Sequence, residues 1–200
     1  MPTPRPRVYL AGPMVFDPFP TALFDRMKAI CAEAGLEGVA PLDNQIGLEG
    51  LPPGRPLLER IVAADIELLN TLDAGLFCLD AFRRGTEMDP GTAFELGYMH
   101  ALKKPVAGWT SDPRPYPIKV QHFFAQHFNA ALSTTEPGPQ GGTSGLTRDP
   151  DGILVHSETC IQNAMIHIGI ELAGGAVTAH SDWTIAFSGA VRGVAAALRK

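Results

Sequence analysis

Apolar positions along the chain recur at two spacings, one fitting buried strands and the other fitting amphipathic helices. Arg7 to Ala11 is a short apolar run that breaks at Gly12-Pro13, as a strand does on entering a loop. From Thr21 to Ala34, Leu23, Phe24, Met27, Ile30 and Cys31 return at helical intervals, and Gly35 ends that helix. A second strand is predicted from Gly38 to Leu42, ahead of the polar Asp43-Asn44-Gln45, and Gly47 to Pro56 reads as a Gly- and Pro-rich loop. Leu57, Leu58, Ile61, Val62, Ile66 and Leu69 then mark an amphipathic helix that carries Asp65. Ala74 to Leu79 is almost continuously apolar, as expected of a strand covered on both faces. A polar loop from Asp80 to Met88 leads to a helix from about Pro90 to Leu102, and Val106 to Thr110 forms a fourth strand.

Strands alternating with helices imply a parallel sheet with right-handed crossovers. Ligands of such sheets sit at the carboxyl ends of the strands, so the loops after the first three strands should share one cleft. The second half is less regular. Thr134 to Gly152 is rich in Gly, Pro, Ser and Thr and reads as a flexible surface insertion. Glu158 to Leu172 fits a helix, and Ser181 to Leu198 fits a terminal helix capped by Ser181 or Asp182. No internal repeat is evident, and 200 residues suit one domain over 1–200.

Composition narrows the function classes. Hydrophobic residues make up 45% and charged residues 18%, as in an ordinary globular domain. The 16 basic and 21 acidic residues give a net charge of −5 with no basic stripe, which argues against a nucleic-acid polymer as partner. The N-terminus runs straight into Val8-Tyr9-Leu10 and no apolar run is long enough for a bilayer, so neither a leader nor a membrane partner is expected. Cys31, Cys78 and Cys160 are far apart in apolar settings, and read as reduced packing residues of a cytoplasmic protein. His122 and His127 do not share a helical face, and no spacing resembles a zinc site, so no metal is expected. Gly91 to Gly97 lacks the Lys-Ser/Thr of a P-loop, and there is no G-x-S-x-G elbow. Phe123, Phe124 and Phe128 read as core or subunit-interface residues.

The densest polar constellation is Asp89-Pro90-Gly91-Thr92-Ala93-Phe94-Glu95-Leu96-Gly97-Tyr98. Asp followed by Pro is a standard helix start, so Asp89 reads as an N-cap. Glu95 lies one turn further in and shares a face with Met99 and Leu102 rather than with a cation. A carboxylate on an apolar face near a strand-end cleft is either paired or functional, and both readings stay open for Glu95.

Val8 to Phe16, Pro41 to Gln45 and Asp89 to Gly97 resemble, in order and spacing, the nucleoside 2-deoxyribosyltransferases. The likeness runs through Ala101-Leu102-Lys103-Lys104-Pro105 and so covers about the first 110 residues, with a weaker echo at Gln162-Asn163-Ala164-Met165. The resemblance implies a flavodoxin-like three-layer α/β sandwich with a central parallel sheet of about five strands. It also implies a cofactor-free enzyme acting on small deoxynucleosides and nucleobases, in a homo-oligomer whose sites are completed by a neighbouring subunit. It assigns Glu95 as nucleophile, Tyr9 as the hydroxyl that holds that carboxylate, and Asp65 as the acid near the base. Asp89 would help bind the sugar hydroxyls, and Asn163 would reach the sugar 5′-hydroxyl from a neighbouring subunit. Gly12 falls with the substrate-binding residues, and Phe16 and Gln45 would line the base pocket.

The chemistry accounts for such a set. Departure of a base from C1′ builds oxocarbenium character, which an anion beneath the sugar stabilises and traps as an ester, as in a retaining glycosidase. Related 2′-deoxynucleotide N-hydrolases carry a Ser- and Gly-rich phosphate cradle after the first strand. Here that loop is the apolar Gly12-Pro13-Met14-Val15-Phe16, which favours free nucleosides over nucleotides. Two rivals remain on sequence grounds: an N-glycoside hydrolase using the same Glu95, and a non-catalytic nucleoside-binding domain.

Overall fold

The computed structural model describes residues 4–44, 50–135, 146–157 and 159–199. Its main sheet contains β1 (Arg7–Ala11), β2 (Glu37–Val39), β3 (Ala74–Cys78) and β4 (Val106–Thr110). Two further short strands, β5 (Ser133–Thr135) and β6 (Leu146–Arg148), form a separate antiparallel ladder, and β7 (Val177–Ala179) completes the main sheet. The order across the main sheet is β2-β1-β3-β4-β7, with every pair parallel. That is the flavodoxin-like order, and it puts the topological switch point beside β1.

Side-chain alternation on the strands sorts the core into two layers. Val8, Leu10, Leu76, Cys78 and Trp109 face one side, where α1 (Pro20–Glu33) and α6 (Trp183–Ala197) supply Phe24, Met27, Phe187 and Val191. Tyr9, Ala11, Phe77 and Leu79 face the other. There α2 (Arg55–Thr71), α3 (Pro90–Ala101) and α5 (Ala164–Leu172) bring Leu68, Leu69, Leu96, Met99 and Ile170. Because Tyr9 occupies an odd position of β1, its hydroxyl is delivered to the α2/α3 layer.

Local chemistry fixes the element ends. Asp89 accepts from the Thr92 backbone N–H at 2.8 Å, and Pro90 follows at the first helical position, so α3 starts as its sequence predicts. Lys104 donates to the carbonyls of Leu69, Asn70 and Leu72 at 2.7, 2.8 and 2.6 Å, closing the C-terminal end of α2. Gly12 is required by close approach, since a Cβ there would stand 2.6 Å from that of Cys78.

Several boundaries differ from expectation. β2 ends at Val39, and Pro41–Asn44 forms a 3₁₀ turn, because Asp43 folds back to accept from the Ala40 N–H at 2.8 Å. The helix expected over 158–172 begins at Ala164, where the Asn163 side chain caps the Met165 N–H. Asp182, not Ser181, caps α6. A helix that periodicity did not reveal, α4 (Tyr116–Phe128), follows β4, with only Lys119 and Val120 buried along it. The stretch 134–152, expected to be a loop, contributes strand residues at both ends, and its middle lies outside the described residues. All three cysteines are buried and free. Among the described residues, no helix is long and apolar enough to cross a membrane.

Candidate active site

A cavity of about 340 Å³ opens at the carboxyl ends of β1 and β2, between α2 and α3. The loop after β1 supplies Gly12, Val15 and Phe16, and the 3₁₀ turn after β2 supplies Pro41, Leu42 and Asn44. Asp65, with Ile61 and Ala64, comes from α2, and Asp89, Gly91, Thr92 and Glu95 come from the start of α3. Loops after three parallel strands thus converge on one cleft, as the alternation of elements predicts.

Glu95 sits on the shoulder of α3, beside the buried Thr92, Leu96 and Met99 that hold the helix to the sheet. Its Oε1 accepts a hydrogen bond from the Tyr9 hydroxyl at 2.6 Å, a contact between residues 86 apart in the chain. Tyr9 itself has no exposed surface. A fully packed donor cannot swing away, so it holds the carboxylate in one orientation. Burial, followed by the Glu95 charge, pushes the Tyr9 hydroxyl far above the usual phenol range, so it remains a donor.

The charged side chains on the cavity's largely apolar wall are all acidic among the described residues. Asp65, Asp89 and Glu95 face the cavity, and no Lys, Arg or His lines it among the described residues. Burial raises Glu95 to about 7; the Tyr9 hydrogen bond pulls it down, and the charges of Asp65 and Asp89 push it further up. Burial likewise raises Asp65 to about 6. Two carboxyl groups in one cavity are thus both raised toward neutrality, with Glu95 the stronger holder of a shared proton. Asp89 is 7% exposed and divides its function: one oxygen holds the Thr92 N–H and hydroxyl, at 2.8 and 3.0 Å, while the residue lines the cavity.

Of the residues singled out in the sequence, Tyr9, Asp65, Asp89 and Glu95 meet at this cavity, with Gly12 and Phe16 on its wall. Phe16 is 62% exposed and lies over Phe82, ring centroids 5.4 Å apart. Gln45 lies outside the described residues. Asn163 caps α5 and is absent from this cavity's wall. Two contributors were not anticipated. Thr92 buttresses Asp89, and its place three residues after the cap was the available signal. Asn44 donates to the Ala64 carbonyl at 2.8 Å and ties the second loop to α2, a contact that no local pattern announces.

The family model for nucleoside 2-deoxyribosyltransferase matches residues 8–165. An uncharacterized protein from Schizosaccharomyces pombe is 46% identical over 193 residues, which is 96% of this chain and 90% of that protein. Among solved structures, a 2-desoxiribosyltransferase from Leishmania mexicana superposes with a TM-score of 0.59 at 24% identity, covering 93% of this chain and 97% of that one. At that identity the likeness speaks to the fold alone.

Proposed function

The chain belongs to the nucleoside 2-deoxyribosyltransferase family, and from that premise we propose that it moves 2-deoxyribose from one nucleobase to another through a covalent ester on Glu95. The observation that carries this reading is the Tyr9–Glu95 hydrogen bond, made at the wall of a cavity where no described residue offers a cation to neutralise the carboxylate. A carboxylate kept without a cationic partner costs stability, and it is retained where its charge is used.

In the proposed reaction an ionised Glu95 oxygen attacks C1′ as the C1′–N bond breaks. The departing base takes up a proton, for which the elevated carboxyl of Asp65 is the source. A second base then attacks C1′ from the opposite face and displaces the carboxylate, returning its own proton to Asp65. Two inversions restore the β configuration. Asp89, fixed by Thr92, would orient the sugar hydroxyls, and Phe16 would cover the base. Among the described residues none that lines the cavity offers a phosphate a donor of positive charge, which supports nucleosides over nucleotides. Asn163 would act on a neighbouring subunit's site. The exposed apolar side chains Phe94 on α3 and Met165 and Leu172 on α5, at 58%, 82% and 80%, support such an assembly.

The test is intact-protein and peptide mass spectrometry after mixing with a deoxynucleoside, alongside product analysis with and without a second base. A deoxyribosyl adduct on Glu95, and a new nucleoside only when the second base is present, is the expected result. Free deoxyribose in both mixtures would instead establish hydrolysis. Full turnover by Glu95→Ala would overturn the nucleophile assignment.

A further inference from the structure

A second cavity of about 400 Å³ lies between the loop after β3, the loop after β4 and α4, and its charge is opposite to that of the first. Arg84, Arg114, Lys119, His122 and His127 line it, with Asp112 as the one acid on its wall among the described residues. Asp112 is already taken: Arg114 Nε and Nη2 hold its two oxygens at 2.9 and 2.7 Å. The nearest other carboxylates are also engaged. Asp80 accepts from the Thr110 hydroxyl and from the backbone and side chain of Ser111, and Glu87 accepts from the Tyr116 hydroxyl. In a chain of net charge −5, Arg84 and Lys119 are therefore left facing one hollow without a carboxylate bonded to either among the described residues.

Lys119 makes the strongest case. It is 6% exposed, and its ammonium donates to one neutral acceptor, the Ile161 carbonyl at 2.9 Å. An ammonium has three donors; Asp112, Asp80 and Glu87 attract it from a distance, and among the described residues only the Ile161 carbonyl bonds it, which leaves donors for a further acceptor. A solvated basic helix face would not bury its lysine. Lys119, His122 and Gln126 stand at i, i+3 and i+7, so one face of α4 looks into the hollow. Opposite, the loop is pinned by the Phe82 N–H to the Glu87 carbonyl and the Gly85 N–H to the Phe82 carbonyl, both at 2.9 Å. This tight turn holds Arg83 and Arg84 at φ values of 50° and 61°, a left-handed conformation that is costly for side-chain-bearing residues.

From this arrangement we propose that the cleft is a binding site for a phosphate monoester, separate from the Glu95 cavity, with Arg84, Lys119 and His122 as its donors. The guanidinium fork of Arg84 and the point charge of Lys119 suit a phosphate's several acceptor oxygens. The hollow is larger than a phosphate group, leaving room for the sugar or nucleoside that carries it. Because no described residue lining the Glu95 cavity is a cation, such a ligand is an additional molecule rather than the substrate of the proposed transfer.

The experiment is isothermal titration calorimetry of the full chain with inorganic phosphate and, separately, with a nucleoside 5′-monophosphate. Saturable binding at one site per chain is expected, weakened on the order of tenfold by Arg84→Ala and by His122→Ala and unchanged by Glu95→Gln. Equal binding of both ligands would mean that the phosphate alone is read, and tighter binding of the monophosphate that its organic part is read as well. Either supports the site. The proposal is overturned if neither ligand saturates, if both exposed-residue variants bind as the parent does, or if Glu95→Gln abolishes binding. The last outcome would put the anion in the other cavity, and it leaves the transferase reading to its own adduct test.

Discussion

The Glu95 cavity and the basic cleft are of similar size, about 340 and 400 Å³, and residues of the single connection between β3 and α3 line both. Asp89, at the end of that connection, faces the first, and Arg84, in its tight turn, faces the second. What differs is the helix opposite. The first is closed by α2, which contributes Asp65 and aliphatic side chains; the second by α4, which contributes Lys119, His122 and His127. A few side chains on one helix face are enough to reverse the sign of a local field within a few residues of sequence, whatever the net charge of the chain. Neighbouring hollows on one fold thus differ in the charge of the ligand each would accept.

The contrast can be broken from the acidic side first. Glu95→Gln keeps the shape and removes the proposed nucleophile, so transfer rates measured by chromatography should fall by about a thousandfold or more. Phosphate binding in the cleft should be untouched. Tyr9→Phe leaves the carboxylate but frees it to turn, and kcat should drop by roughly tenfold to a hundredfold. Unchanged kinetics would show that the 2.6 Å contact is structural only.

The smallest effect is in the pH dependence of kcat/KM. In the proposed reaction Glu95 must be ionised, and it is raised to about 7, so activity should fall as pH drops through that value. Asp65 must carry a proton and is raised to about 6, so activity also falls as pH climbs past it. Because Glu95 is the higher of the two, the productive form is the minor placement of one shared proton, and it gives a bell centred between about 6 and about 7 whose limbs belong to the pair rather than to either residue. Asp65→Asn should leave a profile that rises with pH and then stays level, and a surviving alkaline limb would assign the proton elsewhere.

How much of this was legible in the sequence differs between the halves of the chain. β3 declared itself by an unbroken apolar run, and α3 by Asp89-Pro90, because both signals are local and physical. The pairing of Tyr9 with Glu95 was not local, and only the resemblance to a family pointed to it. In the second half, α4 buries just Lys119 and Val120, and Pro115 and Pro117 flank its first residue, where they read as a loop. β7 is three residues long and only partly buried, too short for alternation to register. The histidines of α4, five apart and dismissed as metal ligands, share a cleft because His127 sits in the last turn, where the helix ends at a left-handed Asn129.

Odd and even positions of β1 serve different layers: Val8 and Leu10 pack toward α1 and α6, while Tyr9 and Ala11 reach the α2/α3 side. Inserting or deleting one amino acid in that five-residue segment would therefore carry the phenol through the sheet to the wrong compartment, however conservative the replacement. Variation along β1 can proceed by substitution far more readily than by changes of length.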